Sequence, residues 1–241
     1  MQGVCFESIE QIGVRTIPDP VVEASTDAIV RVRVAGLCGS DLHPFFGREK
    51  GIDFGTVMGH EFVGEVVEVG SAVKRFASGD SVCAPFTTSC GKCFYCQQGI
   101  TSRCTQGQLF GWRESSVGLH GGQSEFVRVP LADGTLMKIP NGMSDDVALL
   151  LGDNLSTGFY CAEMANIQPD SVCVVIGCGT VGLLAVESAL RLIGQDPPTQ
   201  ICRQVIAIDP MESRLEIADR LGAITFTNAT DALDHIMRVT D

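Results

Sequence analysis

The sequence has few basic residues: Lys and Arg together number 17, against 29 Asp and Glu, and the formal net charge at pH 7 is −12. It contains no run of basic residues and no alternation of basic with aromatic side chains. Because nucleic-acid binding depends on neutralising phosphates with Lys and Arg, no nucleic-acid partner is expected. Hydrophobic residues make up 45% of the 241 residues and charged residues only 19%, which indicates a globular chain of one large or two ordinary domains.

The sequence also lacks a recognisable targeting or membrane segment. Residues 1–10 contain no basic region followed by an apolar core, so no secretory signal is predicted. The longest apolar stretch, residues 172–190, contains three glycines and Glu187, which indicates a buried strand and a helix and not a membrane span. The eleven cysteines are an odd number and favour reduced thiols, some of them metal ligands. We therefore expect a cytoplasmic protein with no membrane partner.

Four cysteines are spaced C-x2-C-x2-C-x7-C in one glycine-flanked segment: Cys90, Cys93, Cys96 and Cys104. Four thiolates can close a tetrahedral shell around one zinc ion without an open position, as in a structural site, and the segment would then owe its shape to the ion. An iron–sulfur cluster is one alternative, but bacterial ferredoxins place the fourth cysteine after three residues and follow it with proline. Here Thr105 follows a gap of seven residues. A disulfide knot is the other alternative, which the overall cysteine usage disfavours.

The pattern of apolar residues changes after about Pro140. Before it, short β-like runs broken by glycines predict strands at residues 29–34, 62–69 and 125–129. After it, helices are predicted from Ser144 and over residues 155–166, 180–193, 211–221 and 232–239, and strands over residues 172–176, 205–208 and 224–226. This alternation predicts βαβ units and a parallel sheet. The predicted architecture is α/β: a β-rich domain, then the first half of a doubly wound domain, with a boundary near Gly152.

The sequence Gly177-Cys178-Gly179-Thr180-Val181-Gly182 is a G-x-G-x-x-G turn between a predicted strand and a predicted helix. In that context the glycines permit a tight turn, a close approach to a pyrophosphate, and packing of the helix on the strand. Asp209 ends the next strand, where a carboxylate can bind the adenosine ribose and repel a 2′-phosphate, which favours NAD over NADP. Asp209 precedes Pro210, so it can alternatively cap the next helix. The interval is also long: 26 residues separate Gly182 from Asp209, with the surplus in a predicted surface loop at residues 194–203.

Two further segments complete a pattern. Residues 36–43 are Gly-Leu-Cys-Gly-Ser-Asp-Leu-His, and residues 59–61 are Gly-His-Glu. A single Cys or His is usually only packed or solvated. Together with the four-cysteine lobe and the glycine turn, in this order and spacing, these segments make essentially all of the chain resemble a zinc-dependent medium-chain alcohol dehydrogenase.

The resemblance implies a fold and a set of cofactors. Residues 1–152 would form a GroES-like zinc-binding catalytic domain with a structural-zinc lobe at about residues 88–106. Residues 153–241 would form part of a Rossmann NAD-binding domain. The implied cofactors are NAD and two zinc ions per chain, and the implied substrate is a small alcohol or aldehyde. A homo-oligomer is implied for a full-length chain of this family.

The resemblance also assigns roles around the catalytic zinc. Cys38 and His60 would be two ligands, and Asp153 would be the third, where many members have cysteine. Zn²⁺ with one thiolate, one neutral imidazole and one carboxylate is still neutral overall. The alternative for Asp153 is a helix N-cap.

The remaining implied roles concern proton transfer and the cofactor. Ser40 would accept the hydrogen bond of the alcohol and His43 would pass its proton to solvent. Asp41 would orient the zinc histidine, and Glu61 corresponds to an acidic residue beside the metal. The residues expected to contact the cofactor are Thr157, Gly177, Gly179, Thr180, Val181, Gly182, Asp209 and Arg214.

Two functions are therefore open. The first is a zinc-dependent oxidoreductase that transfers a hydride between an alcohol and NAD⁺. The second is a catalytically weak zinc-binding homologue that pairs with another chain, because a complete doubly wound domain needs six strands and only three are predicted. On this expectation of a C-terminal truncation, the strand at residues 172–176 becomes an exposed sheet edge.

Two groups of residues have no role in this scheme. His120 and His235 are expected at the surface. The remaining cysteines are expected to be small packing residues: Cys5, Cys83, Cys161, Cys173, Cys178 and Cys202.

Overall fold

A computed structural model describes residues 1–168, 171–193 and 204–240, and for residues 192 and 193 it describes the backbone only. The predicted loop at residues 194–203, including Cys202, lies outside the described residues. The chain divides into two compact units, Met1–Asp153 and Asn154–Asp241. The bounds and cofactor roles predicted for two domains stay predictions.

The first unit is mostly β structure. Its strands are β1 (Gln2–Ser8), β2 (Gln11–Thr16), β3 (Ala28–Ala35), β4 (Phe62–Val69), β5 (Ser81–Cys83), β6 (Trp112–Glu114), β7 (Val117–Leu119), β8 (Phe126–Val129) and β9 (Met137–Lys138). Its helices are short: α1 (Leu42–Phe45), α2 (Phe94–Gln97), α3 (Ala132–Thr135) and α4 (Asp145–Gly152), with 3-10 turns at Gly39–Asp41 and Thr101–Arg103. The strands predicted at residues 29–34, 62–69 and 125–129 are confirmed as β3, β4 and β8.

An antiparallel sheet in the order β8-β3-β4-β5-β9 organises this unit. Its core is packed by β-branched and aromatic side chains, among them Phe62 and Phe110, whose rings meet edge to face with centroids 5.1 Å apart. Gly64 is needed in β4, because a Cβ there would lie 2.2 Å from the carbonyl oxygen of Arg31 on β3. The pairing of Ala35 with Phe62 brings the end of β3 next to the start of β4.

The second unit alternates helices and strands. Its elements are α5 (Asn154–Met164), β10 (Val172–Ile176), α6 (Thr180–Ile193), β11 (Gln204–Ile208), α7 (Glu212–Leu221), β12 (Ile224–Phe226) and α8 (Ala229–Thr240). The three strands are parallel and lie in the order β10-β11-β12, which confirms the predicted βαβ pattern. Gly222 closes α7 with φ +108°, a left-handed conformation that favours glycine.

The sequence predicts β10 as a buried strand and, if the domain is truncated, as an exposed sheet edge. The first of these two expectations is wrong, since Ile176 is 80% exposed and Val174 is also exposed. The reason is that β10 has a single neighbour, β11, among the described strands, so it forms one edge of this sheet. No helix among the described residues has both the length and the apolar composition needed to cross a membrane.

Candidate active site

The first candidate zinc site begins where β3 and β4 come together. Cys38 follows β3 and His60 precedes β4, and Asp41 connects them. The Asp41 carboxylate is buried: its Oδ2 accepts a hydrogen bond from the Cys38 backbone N–H at 3.0 Å, and its Oδ1 lies 3.2 Å from Nδ1 of His60. The arrangement orients the imidazole through Nδ1 and leaves Nε2 to face the other groups of the site.

Two oxygen atoms lie near that second nitrogen. Nε2 of His60 is 3.4 Å from Oδ2 of Asp153 and 3.4 Å from Oγ of Ser40. One potential ligand atom from each of Cys38, His60, Glu61 and Asp153 lies within 4.8 Å of the others. The structure therefore brings together the three proposed zinc ligands and Glu61, the acidic residue expected beside the metal. A thiolate, an imidazole and a carboxylate are ligands that suit zinc.

The acidic groups around His60 favour a positive charge at this site. Burial lowers the pKa of His60, but its hydrogen bonds with Asp153, Asp41 and Cys38 outweigh that effect and raise the pKa to about 12. Without a metal, a proton on the ring supplies the positive charge that these acceptors attract. A divalent ion would supply the same charge, so the donor set fits the expected zinc.

Glu61 and Gln123 complete the surroundings of the cluster. Glu61 is buried, and it approaches the backbone of Gly36 so closely that a Cβ there would lie 2.1 Å from its Oε2. The side-chain amide of Gln123 donates to the Gly36 carbonyl at 3.0 Å and packs against Gly59, where φ is +88°. Gln123 thus supports both segments that carry ligands. Sequence reasoning missed it, and its position after Gly121-Gly122 was the only signal.

Ser40 and His43 lie on the segment that follows Cys38. Ser40 is exposed and its hydroxyl reaches His60, as described above. His43 lies in α1 and is half-buried, and its ring makes no hydrogen bond with other described residues. The structure thus places the Ser40 side chain beside the cluster. His43 is connected to the cluster only because it lies on the same segment of the chain.

The four-cysteine lobe forms a second candidate site. One sulfur atom from each of Cys90, Cys93, Cys96 and Cys104 lies within 4.8 Å of the others, and the sulfurs of Cys93 and Cys104 are 3.9 Å apart. None of the described cysteines forms a disulfide, so the disulfide knot is excluded for this lobe. Four thiols in this arrangement fit a structural zinc ion.

Backbone amides prepare the sulfurs of this lobe to be thiolates. The Cys93 N–H donates to the Cys90 sulfur at 3.3 Å, and the Cys90 N–H donates to the Cys104 sulfur at 3.2 Å. Backbone N–H groups of Cys96 and Thr105 lower the pKa of Cys93 to about 6, whereas burial and the neighbouring thiols raise the pKa of Cys96 to about 11. Negative charge on one thiolate thus disfavours negative charge on its neighbours, and a bound metal ion would reduce this repulsion.

In the second unit, the glycine turn has the predicted local structure. Gly177 has φ +91°, and a Cβ on Gly182 would lie 1.8 Å from the Gly177 carbonyl oxygen. Only glycine fits the two positions, so the turn can join β10 to α6. Gly179 has open space around its Cα, and Thr180 and Val181 are exposed in the first turn of α6. Thr157 is exposed on α5.

Asp209 is bound to the turn itself. Its Oδ2 accepts from the Cys178 N–H at 2.8 Å and lies 3.3 Å from Arg214, and its Oδ1 accepts from the Met211 N–H at 2.8 Å. The two backbone N–H groups, and then Arg214, lower the pKa of Asp209. The carboxylate thus joins the end of β11 to the glycine turn and to the start of α7. Its role toward a ribose stays a prediction.

One expectation outside the sites, the packing of Cys161, was wrong, and two histidines that were expected at the surface are half-buried. His120 is half-buried: its Nδ1 accepts from the Val57 N–H at 3.0 Å. His235 is also half-buried, and its Nε2 lies 2.6 Å from Oε1 of Gln204. Cys161 was expected to pack in a core but is exposed on α5, whereas Cys5, Cys83 and Cys178 are buried as expected.

The sequence and the fold are similar to those of known proteins. The family described as alcohol dehydrogenase GroES-like domain matches residues 24–141. The medium chain reductase/dehydrogenase ucsI of Acremonium sp is 47% identical over 229 residues, which cover 92% of this chain and 74% of that protein. The zinc-type alcohol dehydrogenase B of Aspergillus flavus is 44% identical over 92% of this chain and 50% of its own length.

Solved structures give the same result. Alcohol dehydrogenase TADH from Thermus sp. ATN1 superposes with a TM-score of 0.84 at 37% identity, over 94% of this chain and 63% of that one. The chain thus spans about half to three quarters of the length of the relatives it matches. The sequence similarity, the GroES-like domain and the grouped zinc-type ligands agree, and the chain belongs to the zinc-type alcohol dehydrogenases of the medium-chain dehydrogenase/reductase family.

Proposed function

We propose that this chain contributes to the transfer of a hydride between an alcohol and NAD⁺, giving an aldehyde or a ketone, with a catalytic zinc held by Cys38, His60 and Asp153. The observation that carries the proposal is that ligand atoms of Cys38, His60 and Asp153 lie within 4.8 Å of one another. Nε2 of His60 lies near Asp153, and Asp41 orients the ring through Nδ1. A zinc ion held by three protein ligands supplies Lewis acidity to an alcohol oxygen, and NAD supplies the hydride acceptor.

The chain's own residues would then control the proton of the alcohol. The Ser40 hydroxyl is exposed and lies beside Nε2 of His60, so it is positioned to accept the hydrogen bond of an alcohol that enters the site. His43 lies three residues farther along the same segment, and an imidazole can exchange protons with solvent near neutral pH. Asp41 keeps the imidazole of His60 in one orientation throughout.

The second unit is proposed to bind the cofactor. The turn at Gly177, Gly179 and Gly182 exposes backbone at the start of α6, where the positive end of the helix favours a pyrophosphate. Asp209 and Arg214 lie beside this turn and are proposed to contact the adenosine ribose. Thr157, Thr180 and Val181 are proposed as further cofactor contacts. The four-cysteine lobe is proposed to hold the second, structural zinc ion.

Metal analysis combined with an alcohol panel tests this function. Purified protein is expected to contain two zinc ions per chain and to produce NADH when an alcohol and NAD⁺ are added. Ser40→Ala should lower the turnover and leave the zinc content unchanged. The control is Ser8→Ala, because the Ser8 hydroxyl bonds only to neighbouring residues at an exposed strand end. Full zinc content without turnover on any primary or secondary alcohol would contradict the proposal.

A second function is favoured by the exposed edge of β10. A zinc-binding chain with little activity of its own could pair with another chain through this edge, where Ile176 is 80% exposed. This function predicts the same zinc content, no turnover and association in solution. A chain that stays monomeric in solution, or that turns over an alcohol, would count against this second function.

A further inference from the structure

A cavity of 470 Å³ lies in the first unit, and none of the candidate zinc ligands lines it. Its walls combine apolar side chains, among them Val21 and Phe126, with three basic ones, Arg113, His120 and Arg128. The volume lies in the range of small-molecule sites, which is about 300–1,000 Å³. The cavity has no part in the proposed reaction, so its polar groups need a separate explanation.

The hydrogen bond from Val57 fixes the tautomer of His120. The Val57 N–H donates to Nδ1 at 3.0 Å, so Nδ1 must carry a lone pair. Burial lowers the pKa of His120, and the charges of Arg113 and Arg128 lower it further, so the ring is neutral at pH 7. A neutral imidazole carries one proton. That proton is therefore on Nε2.

Arg113 then faces a second donor. Its Nη1 lies 3.1 Å from Nε2 of His120, and a guanidinium has donors only. Two N–H groups thus meet without an acceptor between them. The neighbouring Nη2 donates to the Ser116 carbonyl at 3.4 Å, a long contact. An oxygen anion placed beside Arg113 and His120 would accept from both N–H groups at once.

The other charges around the cavity are already paired. Arg128 binds Asp27 at 3.0 Å and Glu23 at 3.2 Å, and Asp19 binds the amino group of Met1 at 2.6 Å. Arg113 has no carboxylate partner among the described residues. Arg113 is thus the basic side chain of this cavity that has no carboxylate beside it among the described residues.

We infer that this cavity binds a small organic carboxylate, with the carboxylate oxygens accepting from Arg113 and from Nε2–H of His120. Arginine holds carboxylates with two parallel N–H groups, and such charge-assisted bonds are the strong ones. The cavity is larger than an inorganic ion requires, and its apolar walls suit a carbon skeleton. The site is separate from the candidate zinc ligands and does not depend on the proposed reaction.

Nitrogen NMR of the histidine side chains, at pH 7 with benzoate as the probe, tests this inference. In the free protein, Nε2 of His120 should carry the proton and Nδ1 should not. Benzoate should shift the Nε2 signal in a saturable manner, whereas benzamide, which has the same ring without the charge, should not. The measurement uses the unsubstituted zinc-loaded chain, so it does not depend on how a variant folds.

Variants then locate the contact. Arg113→Gln should weaken benzoate binding by at least about tenfold, because it removes a charge-assisted hydrogen bond. The control is Arg31→Gln, which removes the same charge from an exposed pair with Glu65 and should leave binding unchanged. Benzoate can also bind a zinc ion, so the shift at His120 should persist in Cys38→Ser.

Five results would each overturn the inference. Four of them are a proton on Nδ1 of His120, no shift with benzoate, equal shifts with benzamide, and loss of the shift in Cys38→Ser alone. The fifth is equal benzoate affinity in folded Arg113→Gln and in the unsubstituted chain.

Discussion

Replacing Asp41 by Asn tests the link between the two ligand-bearing segments. The carboxylate accepts two hydrogen bonds, one from the Cys38 N–H at 3.0 Å and one involving Nδ1 of His60 at 3.2 Å. Asparagine has the same shape but only one acceptor oxygen, and its NH2 group would face one of these two donors. Either the Cys38 backbone or the His60 ring must then move.

The expected cost is a loss of about 10–100-fold in zinc affinity, which is typical when the residue that orients a metal-bound histidine is changed. This corresponds to about 1.4–2.8 kcal/mol. Asp41 is buried, so solvent will not screen the lost charge. The effect should be confined to the Cys38 site, because the four-cysteine lobe does not use this carboxylate.

Competition with a chelator measures both sites in one titration. Zinc should leave the unsubstituted protein in two steps, and the step that Cys93→Ser abolishes belongs to the lobe. Asp41→Asn should move only the other step toward weaker binding. The matched control is Asp145→Asn, because Asp145 pairs with Arg33 at 2.8 Å and contacts neither site. Unchanged affinity in Asp41→Asn would refute the role of Asp41 as the orienting residue.

Three further predictions concern the first unit. Phe62→Ala should destabilise it by about 3–5 kcal/mol in denaturant unfolding, since Phe62 is 1% exposed and packs on Phe110, whereas Phe54→Ala should have little effect because Phe54 is 74% exposed. Gly64→Ala should lower the melting temperature, because the new Cβ would lie 2.2 Å from the Arg31 carbonyl, but Gly39→Ala should be tolerated because nothing lies within 4 Å. After zinc removal at pH 7, iodoacetamide should modify Cys93 before Cys96, because a pKa of about 6 leaves Cys93 as thiolate and a pKa of about 11 leaves Cys96 protonated. The Cys93 rate should fall as the pH drops below 6, and restored zinc should protect both thiols; equal rates at the two cysteines would contradict the assigned acidities.

The features that the sequence predicted well depend on local interactions. The four cysteines lie in one short segment, so their spacing alone limits how far apart the sulfurs can be. The glycine turn is also local, because Gly177 needs a positive φ and Gly182 must touch the Gly177 carbonyl. The strands and helices of the second unit followed from their periodicity, and their bounds differ from those predicted by only a few residues.

The Cys38 site could be predicted only in part from the sequence. The sequence supplied its residues through a family resemblance, but their spacing along the chain does not bring them together. The pairing of β3 with β4 brings Cys38 beside His60, and the end of α4 brings Asp153 to the same imidazole. The support from Gln123 could not be predicted, because it depends on how close the Gly36 and Gly59 backbones lie.

The sequence by itself determined the parallel βαβ arrangement, which depends on its period and spacing. It indicated the family and the candidate ligands of the Cys38 site through the resemblance of its motifs. Only the tertiary structure decided which polar atoms face each other. It placed the Asp209 oxygens on backbone N–H groups, and it brought Nη1 of Arg113 to 3.1 Å from Nε2 of His120. The physical reason is that a hydrogen bond needs two atoms within about 3 Å, and only the packed chain brings distant residues that close.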